Sequence, residues 1–375
     1  MLYYVWWGGK KLQLDLFQNK LVSKLHPKVS LLKSNSQLIS EKNMLLDWTN
    51  GLVDRDGKFI KQFQETFHSC FWEILLYKLF TDAGFSLNQS YQVPDYIVTS
   101  PCNFYVEAVT ANIRQGGRQE IERTLYDQFS VLVPPYRQDD FYERLDEAIV
   151  RLANSINVKY NKYCNEYLKR EWIKRDVPYV VALASFDQIN YGAEYIYPML
   201  ALLYGLYFDV HKNSYNFKDH IQKEQTNAQI QLGIFNDEHY SDISAIIYTC
   251  TLTLGKLTAL SISCGNHSLN KVYNIRENLE TKQFILQNVS PFSTEDIGDG
   301  IFVFHNPNAK NKLPDNLFEN VAITNIQMDN TGVCFFGNEC PIVARINTPL
   351  LQNDFLLCEI VREYNRLSPS EFYDF

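Results

Sequence analysis

Runs of hydrophobic and polar residues in the first half of the chain predict a regular order of elements. Residues 61–82, KQFQETFHSCFWEILLYKLFTD, are typical of a helix, which the AGF sequence around Gly84 ends. Residues 86–93 alternate as a strand does. Residues 94–111, PDYIVTSPCNFYVEAVTA, favour two short strands joined by a turn. The pattern therefore predicts a helix followed by three strands.

The pattern continues with a long helix and a buried strand. Apolar residues recur at intervals of three and four across roughly 140–170, which predicts a long amphipathic helix. Residues 177–186, VPYVVALASF, are apolar throughout, as in a strand that is covered on both faces. Another helix is predicted near 193–207, and residues 212–229 form the most polar stretch.

These elements predict an α/β fold organised in three segments. Residues 61–210 would form a core with a mixed central sheet flanked by helices, after an N-terminal extension of residues 1–60. Residues 211–375 contain further strand-like runs such as DISAIIYTCTLTL and GIFVFHN. We expect this last segment to be an α+β region that packs on the core or extends it.

Composition narrows the class of protein. The chain has 375 residues, of which 46% are hydrophobic, so it can bury a large core. Its 35 basic and 43 acidic residues give a net charge of −8, which argues against a broad basic coat but leaves room for a local basic groove. The eight cysteines are scattered, which is typical of buried thiols in a reducing compartment. Because no apolar run reaches about 20 residues, we expect a cytoplasmic protein without membrane association.

Three acids stand at positions where carboxylates are costly. Asp95 begins the first strand of the 94–111 pair, and Glu107 interrupts the apolar second strand. Two facing carboxylates raise each other's pKa unless a cation lies between them, and Mg²⁺ prefers carboxylate oxygens. Glu73 lies in a helix that is apolar almost all round, so it needs a metal, a tyrosine hydrogen bond or a route to solvent. By strand alternation, Glu107 should point toward a surface that the helices leave open.

This order of elements, with PDY on one strand and YVEA on the next, resembles the restriction-endonuclease-like PD-(D/E)xK nuclease superfamily. The resemblance covers roughly residues 61–210. Phrases such as FWEILLYKLFTDAGF and HNPNAKN are also similar to a group of uncharacterised bacterial proteins of similar length. The resemblance implies a restriction-endonuclease-like core.

The resemblance also implies roles for particular residues. Asp95 and Glu107 match the family's ligands for Mg²⁺ (or Mn²⁺), and Glu73 matches a supporting acid on the first helix. The family's lysine belongs two residues after the glutamate, where this chain has Val109. Some members of the superfamily supply that cation from an adjacent helix, and Lys159 is the candidate here.

Basic residues near these elements are candidates for contact with nucleic acid. Arg114 and Arg118 bracket a Gly-Gly pair, and Lys162 lies one helical turn from Lys159. Aromatic residues interleave with basic ones along the long helix and beyond it, where they could stack bases or belong to an ordinary solvated helix; they are Tyr160, Tyr163, Tyr167 and Trp172.

The sequence thus predicts a Mg²⁺-dependent endodeoxyribonuclease that hydrolyses DNA phosphodiester bonds. A setting in restriction or phage defence follows from family analogy alone. Because Val109 replaces the expected lysine, an inactive nuclease-like module that binds nucleic acid or a protein partner stays as the alternative. RNA as the substrate, and a homodimer as the working state, also remain open.

Overall fold

The computed structural model describes residues 13–19, 24–114, 116–124, 127, 133–186, 189, 191–223, 226, 228–330, 332–348, 361–362 and 365. The α-helices in this part of the chain are α1 (Pro27–Ser34), α2 (Ile39–Trp48), α3 (Phe59–Glu65), α4 (Phe67–Asp82), α5 (Phe141–Asn165), α6 (Tyr197–Tyr204) and α7 (Leu254–Ser263).

The strands are short, as is usual in a mixed fold. They are β1 (Ser86–Leu87), β2 (Tyr96–Ser100), β3 (Phe104–Asn112), β4 (Tyr179–Phe186), β5 (Leu206–Asp209), β6 (Ser214–Phe217), β7 (His220–Gln222), β8 (Gln229–Gln231), β9 (Ile243–Thr249), β10 (Lys271–Glu277), β11 (Phe284–Asn288), β12 (Phe302–His305), β13 (Thr324–Asp329), β14 (Gly332–Gly337) and β15 (Ile342–Thr348).

A mixed eight-stranded sheet forms the centre of the molecule, in the order β1-β2-β3-β4-β9-β12-β13-β14. The inner strands β3, β4 and β9 run parallel, while β1, β2 and β3 pair antiparallel. Parallel neighbours need a crossover connection. Between β3 and β4 the chain forms α5, and between β4 and β9 it forms α6 and two small hairpins.

Helices cover both faces of this sheet. One hydrophobic cluster joins α4 to one face of β3, where Phe104 and Val106 are buried. The other cluster joins α5 and α6 to the opposite face, where Tyr105 is buried. The fold is therefore mixed α/β with a large central sheet between helical layers, and the strands β3 and β4 are buried on both sides.

The C-terminal half contributes to the same sheet. Strand β9 pairs with β4, and β12, β13 and β14 continue the sheet beyond it. The predicted boundary near residue 211 falls in the connection between two neighbouring parallel strands. Strands β11, β10 and β15 form a separate three-stranded sheet. Segment 211–375 thus extends the central sheet and adds a second, smaller one.

Several predicted elements have different bounds, for local reasons. The single helix predicted over 61–82 is wrong: Thr66, at φ −130° and ψ 54°, separates α3 from α4, and its hydroxyl donates to the Gln62 carbonyl at 2.9 Å. The strand predicted over 86–93 is also too long. It stops at Leu87 because the Asn88 side chain accepts from the Ser90 amide at 3.0 Å, which closes a turn.

The helix predicted near 193–207 is shorter, spanning Tyr197–Tyr204. It ends at Gly205, whose φ of +79° is the left-handed conformation that favours glycine. The prediction that Gly84 ends the helix before β1 is confirmed for α4. Ala83 caps α4, and Gly84 follows it with a φ of +83°.

The described residues bear on two broader expectations, about membrane association and about the cysteines. None of the helices in these ranges has the length and apolar character needed to cross a membrane. The seven cysteines within them are free thiols. Cys264 and Cys334 are exposed, so the expectation that the thiols are buried is wrong for these two.

Candidate functional site

The antiparallel pair β2–β3 brings Asp95 and Glu107 together. Tyr96 lies opposite Val106 in this pair. Asp95, which precedes Tyr96, therefore faces Glu107, which follows Val106. The Asp95 amide donates to Oε2 of Glu107 at 3.3 Å, and the Ala108 amide donates to Oδ2 of Asp95 at 2.7 Å. Each carboxylate is thus fixed by a backbone amide of the opposite strand.

Glu107 is buried, with a side-chain exposure of 2%, so the prediction that it points to an open surface is wrong. The reason is the crossover between β3 and β4, which lays α5 over this face of the sheet. Oε1 of Glu107 lies 2.8 Å from Nζ of Lys159 and accepts a hydrogen bond from the Tyr167 hydroxyl at 2.8 Å. Nζ of Lys162 lies farther away, at 3.8 Å.

Lys159 reaches the acids from the C-terminal half of α5. Val109, two residues after Glu107, packs against the hydrophobic cluster that α5 helps to form. The lysine therefore approaches from the helix that covers this face of the strand. Although burial opposes protonation, the carboxylates of Glu107 and Asp95 raise the pKa of Lys159. The ammonium stays charged across the physiological range.

Glu73 joins the same electrostatic environment from α4. Among the described residues, no group donates a hydrogen bond to its carboxylate, although the Tyr96 hydroxyl donates to its backbone carbonyl at 2.5 Å. Burial, together with the neighbouring Asp95 carboxylate, raises the pKa of Glu73 to about 8. Lys159 acts in the opposite direction. Without a further cation, Glu73 is therefore protonated at neutral pH.

The pKa of Asp95 is shifted in the same direction. Burial and the Glu107 carboxylate raise its pKa to about 7, against the opposing effects of Lys159 and the Ala108 amide. Within the described residues, only Oδ2 of Asp95 accepts a hydrogen bond. The group formed by Glu73, Asp95, Glu107 and Lys159, called the pocket below, would carry more negative charge than its lysine balances if all three acids were ionised.

This charge imbalance fits a hard divalent cation. Asp95 and Glu107 would supply carboxylate oxygens, which are the preferred protein ligands of Mg²⁺. In the described ranges, no group of three or more His, Cys, Asp or Glu side chains is arranged to hold a metal ion. Mg²⁺ commonly binds through only one or two carboxylates, with water and substrate phosphate completing its coordination. The donor set therefore fits an open magnesium site and does not fit a closed structural one.

The arginines predicted to contact nucleic acid lie outside this pocket and are paired. Nε of Arg114 lies 3.4 Å from Oε1 of Glu147, and Arg118 forms a two-pronged pair with Asp127 at 2.7 and 3.1 Å. Both arginines remain partly exposed, with side-chain exposures of 45% and 56%. Their role in nucleic-acid binding stays a prediction.

The aromatic residues considered either for base stacking or for a solvated helix face are mostly buried, so neither alternative holds for three of them. Tyr160, Tyr163 and Tyr167 each expose 3% or less. They lie on the face of α5, and of the turn after it, that packs on the sheet. Trp172 is half-buried and stacks on Tyr91, with ring centroids 4.5 Å apart.

Two residues of the site have no sequence signal of their own. Tyr167 lies beyond the end of α5 and bonds Glu107. Arg55 comes from the N-terminal extension, and its charge lowers the pKa of both Glu73 and Asp95. The turn-rich stretch DRDGK contains Arg55, but nothing in its spacing relates it to residues forty positions later.

Comparison of the chain with protein-family models, with curated proteins and with solved structures gives no match.

Proposed function

We propose that the protein is a Mg²⁺-dependent nuclease that hydrolyses phosphodiester bonds in DNA. The observation that carries this proposal is the meeting of acids and a lysine from separate elements. Lys159 on α5 lies 2.8 Å from Glu107 on β3, and Asp95 lies directly across from Glu107. The charges of Asp95, Lys159 and Glu107 all shift the pKa of Glu73 on α4.

The order of elements supports the same proposal. A helix with Glu73, an antiparallel strand pair with Asp95 and Glu107, the crossover helix α5 and the buried parallel strand β4 follow one another in the chain. This is the order on which the resemblance to PD-(D/E)xK nucleases depends. We propose that these elements form a restriction-endonuclease-like core on which the C-terminal strands build.

The site would divide the work of phosphodiester hydrolysis among its residues. Asp95 and Glu107 would hold the Mg²⁺ ion, which when bound supplies Lewis-acid polarisation of a phosphoryl oxygen. Lys159 would place a permanent positive charge where negative charge develops on the phosphate. Because the raised pKa keeps Lys159 protonated, it serves as an electrostatic stabiliser and not as a base.

Without a neighbouring cation, Glu73 carries its proton at neutral pH, because burial and Asp95 raise its pKa to about 8. A Mg²⁺ ion at Asp95 and Glu107 would lower that pKa, so that Glu73 could accept a proton from an attacking water. Lys162, 3.8 Å from Glu107 and 39% exposed, lies between the buried acids and solvent. It is the residue best placed to contact a phosphate that enters the pocket.

The experiment is a cleavage assay on purified protein with double-stranded DNA, single-stranded DNA and RNA, in Mg²⁺ or Mn²⁺. We expect D95N, E107Q and K159M each to lose at least about a hundredfold in rate. E143Q serves as the matched control, since Glu143 is an exposed acid sixteen residues from Lys159 on the same helix. If the wild-type protein is as inert as D95N on all three substrates, the proposal of nuclease activity is wrong.

One observation favours the alternative of a silent binding module. Both oxygens of Glu107 already accept hydrogen bonds, from Lys159 and Tyr167 on one side and from the Asp95 amide on the other. A carboxylate so fully engaged gives up part of this network when it binds a metal. Nucleic-acid binding that is retained in D95N and E107Q, without cleavage by the wild type, would support the module.

A further inference from the structure

The loop that precedes Asp95 is held by side chains from two distant segments. Nη1 of Arg55 donates to the Tyr91 carbonyl at 2.6 Å and to the Pro94 carbonyl at 3.3 Å. Nε1 of Trp172 donates to the Val93 carbonyl at 2.9 Å. Three carbonyls in the four residues before Asp95 are therefore fixed by side-chain donors.

The segment that carries Arg55 is itself immobilised against this loop. The Val53 amide donates to the Gln89 side chain at 2.9 Å, and the Gln89 amide group donates to the Gly51 carbonyl at 2.8 Å. On the other side of Arg55, the Asp54 carboxylate accepts from the Phe59 amide at 3.2 Å, at the start of α3. Arg55 thus projects from a short stretch fixed at both ends.

Arg55 also contributes charge to the acids. Its guanidinium lowers the pKa of Asp95 and of Glu73, although burial raises both more strongly. Arginine keeps its charge under all conditions in which the protein folds. A single side chain from the N-terminal extension thus combines a backbone clamp with a second cation beside the pocket.

We propose that Arg55 is a positioning residue: by bridging the Tyr91 and Pro94 carbonyls, it fixes where β2 begins and hence where the Asp95 carboxylate lies. The importance of Arg55 for hydrolysis rests on the proposed nuclease function. Its effect on the position of Asp95 is independent of that function, because it acts through hydrogen bonds to the backbone. The N-terminal extension thereby becomes part of the site.

Two backbone amides report the position of Asp95 directly. The Asp95 amide donates to Glu107, and the Ala108 amide donates to Asp95. If Arg55 is replaced by methionine, which keeps an unbranched apolar stem but has no donor, both hydrogen bonds should open more often. Hydrogen exchange at these two amides measures that opening without reference to activity.

The test compares R55M, R55K and the control R144M by hydrogen exchange and, in the same preparations, by the cleavage assay. Arg144 is a half-buried arginine that bonds Asp140 and Gln138 far from the acids. We expect R55M to speed exchange at Asp95 and Ala108 by about tenfold or more, the effect of losing a charged hydrogen bond. R55K should recover part of the protection, and R144M should leave both amides unchanged.

The outcomes separate this inference from the nuclease proposal. Unchanged exchange at both amides in R55M overturns the positioning role, whether or not the wild type cleaves DNA. Exchange that rises equally across the whole chain also overturns it, since that result indicates general unfolding. If the wild type cleaves, R55M should lower kcat with little change in KM, because Arg55 acts through the backbone of the loop before Asp95.

Discussion

At the scale of single residues, the site consists of three acids in apolar surroundings and of the few side chains that contact them or shift their pKa values. Asp95, Glu107 and Glu73 were predictable because a carboxylate in an apolar strand or helix has few explanations. The structure brings all three into one electrostatic environment. Tyr167 and Arg55 were not predictable, because a single tyrosine or arginine in a turn carries no periodic signal. Their contacts depend on pairings across 60 and 36 residues of chain.

The raised pKa of Glu73 predicts a pH-dependent stability. Its pKa rises from an ordinary value near 4.5 to about 8 in the folded protein. A raised folded-state pKa gives stability that is complete below the unfolded value and is lost as pH rises through the folded value. We therefore expect E73Q, in EDTA, to melt at nearly the wild-type temperature at pH 5 and about 3 °C or more above it at pH 8.5.

The control for E73Q is a variant in which an exposed acid is neutralised and every buried acid is kept. E143Q removes an exposed acid on α5 and should show the same small difference from wild type at both pH values. If the difference in melting temperature between E73Q and the wild type does not grow with pH, Glu73 is ionised throughout and its surroundings already balance its charge.

At the scale of elements, the buried strands and the long helix were predictable, and the ends of elements were not. Strand β4, predicted over 177–186, spans Tyr179–Phe186, and α5, predicted over 140–170, spans Phe141–Asn165. The break at Thr66 and the stop at Leu87 depend on single side-chain hydrogen bonds. Side-chain hydrogen bonds of this kind compete with regular backbone structure, and the spacing of hydrophobic residues does not reveal them.

The position of the lysine is also a property of elements. Val109 lies where PD-(D/E)xK nucleases, which the sequence resembles, have a lysine, and α5 brings Lys159 over that face. We therefore predict that K159M loses cleavage at least about a hundredfold. We further predict that the double variant V109K/K159M recovers part of that loss, because the new lysine starts from β3 on the face of Glu107. Rates are measured on the DNA substrate that the wild type cleaves best.

A single variant V109K provides the control for this exchange. It should fold and retain activity, although it places a second cation near Glu107. Full activity in K159M alone would show that the ammonium beside Glu107 has no part in hydrolysis, whatever the double variant does.

At the scale of the whole molecule, the C-terminal half could not be placed from sequence. Its strands join the central sheet through pairing between β4 and β9, whose partners lie more than 60 residues apart. A buried ionic cluster then ties the smaller sheet to α7. Glu295, with a fully buried side chain, bonds Lys256 on α7, Arg345 on β15 and Asn274 on β10.

This cluster predicts a large loss of stability when its central acid is neutralised. E295Q leaves Lys256 and Arg345 buried without their counter-charge, which costs about 3–5 kcal/mol. Unfolding in urea measures the difference. D82N, which breaks the exposed pair between Lys78 and Asp82, should cost less than about 1 kcal/mol. Equal losses in the two variants would mean that the cluster is not shielded from water.

The proposed function requires Asp95 and Glu107 to bind a divalent cation together. Anomalous diffraction from crystals soaked in Mn²⁺ measures this most directly. We predict one strong peak within coordination distance of a carboxylate oxygen from each residue, absent from crystals of D95N soaked in the same way. Wild-type crystals with no peak in this pocket, and with Lys159 still bonded to Glu107, would contradict the proposal.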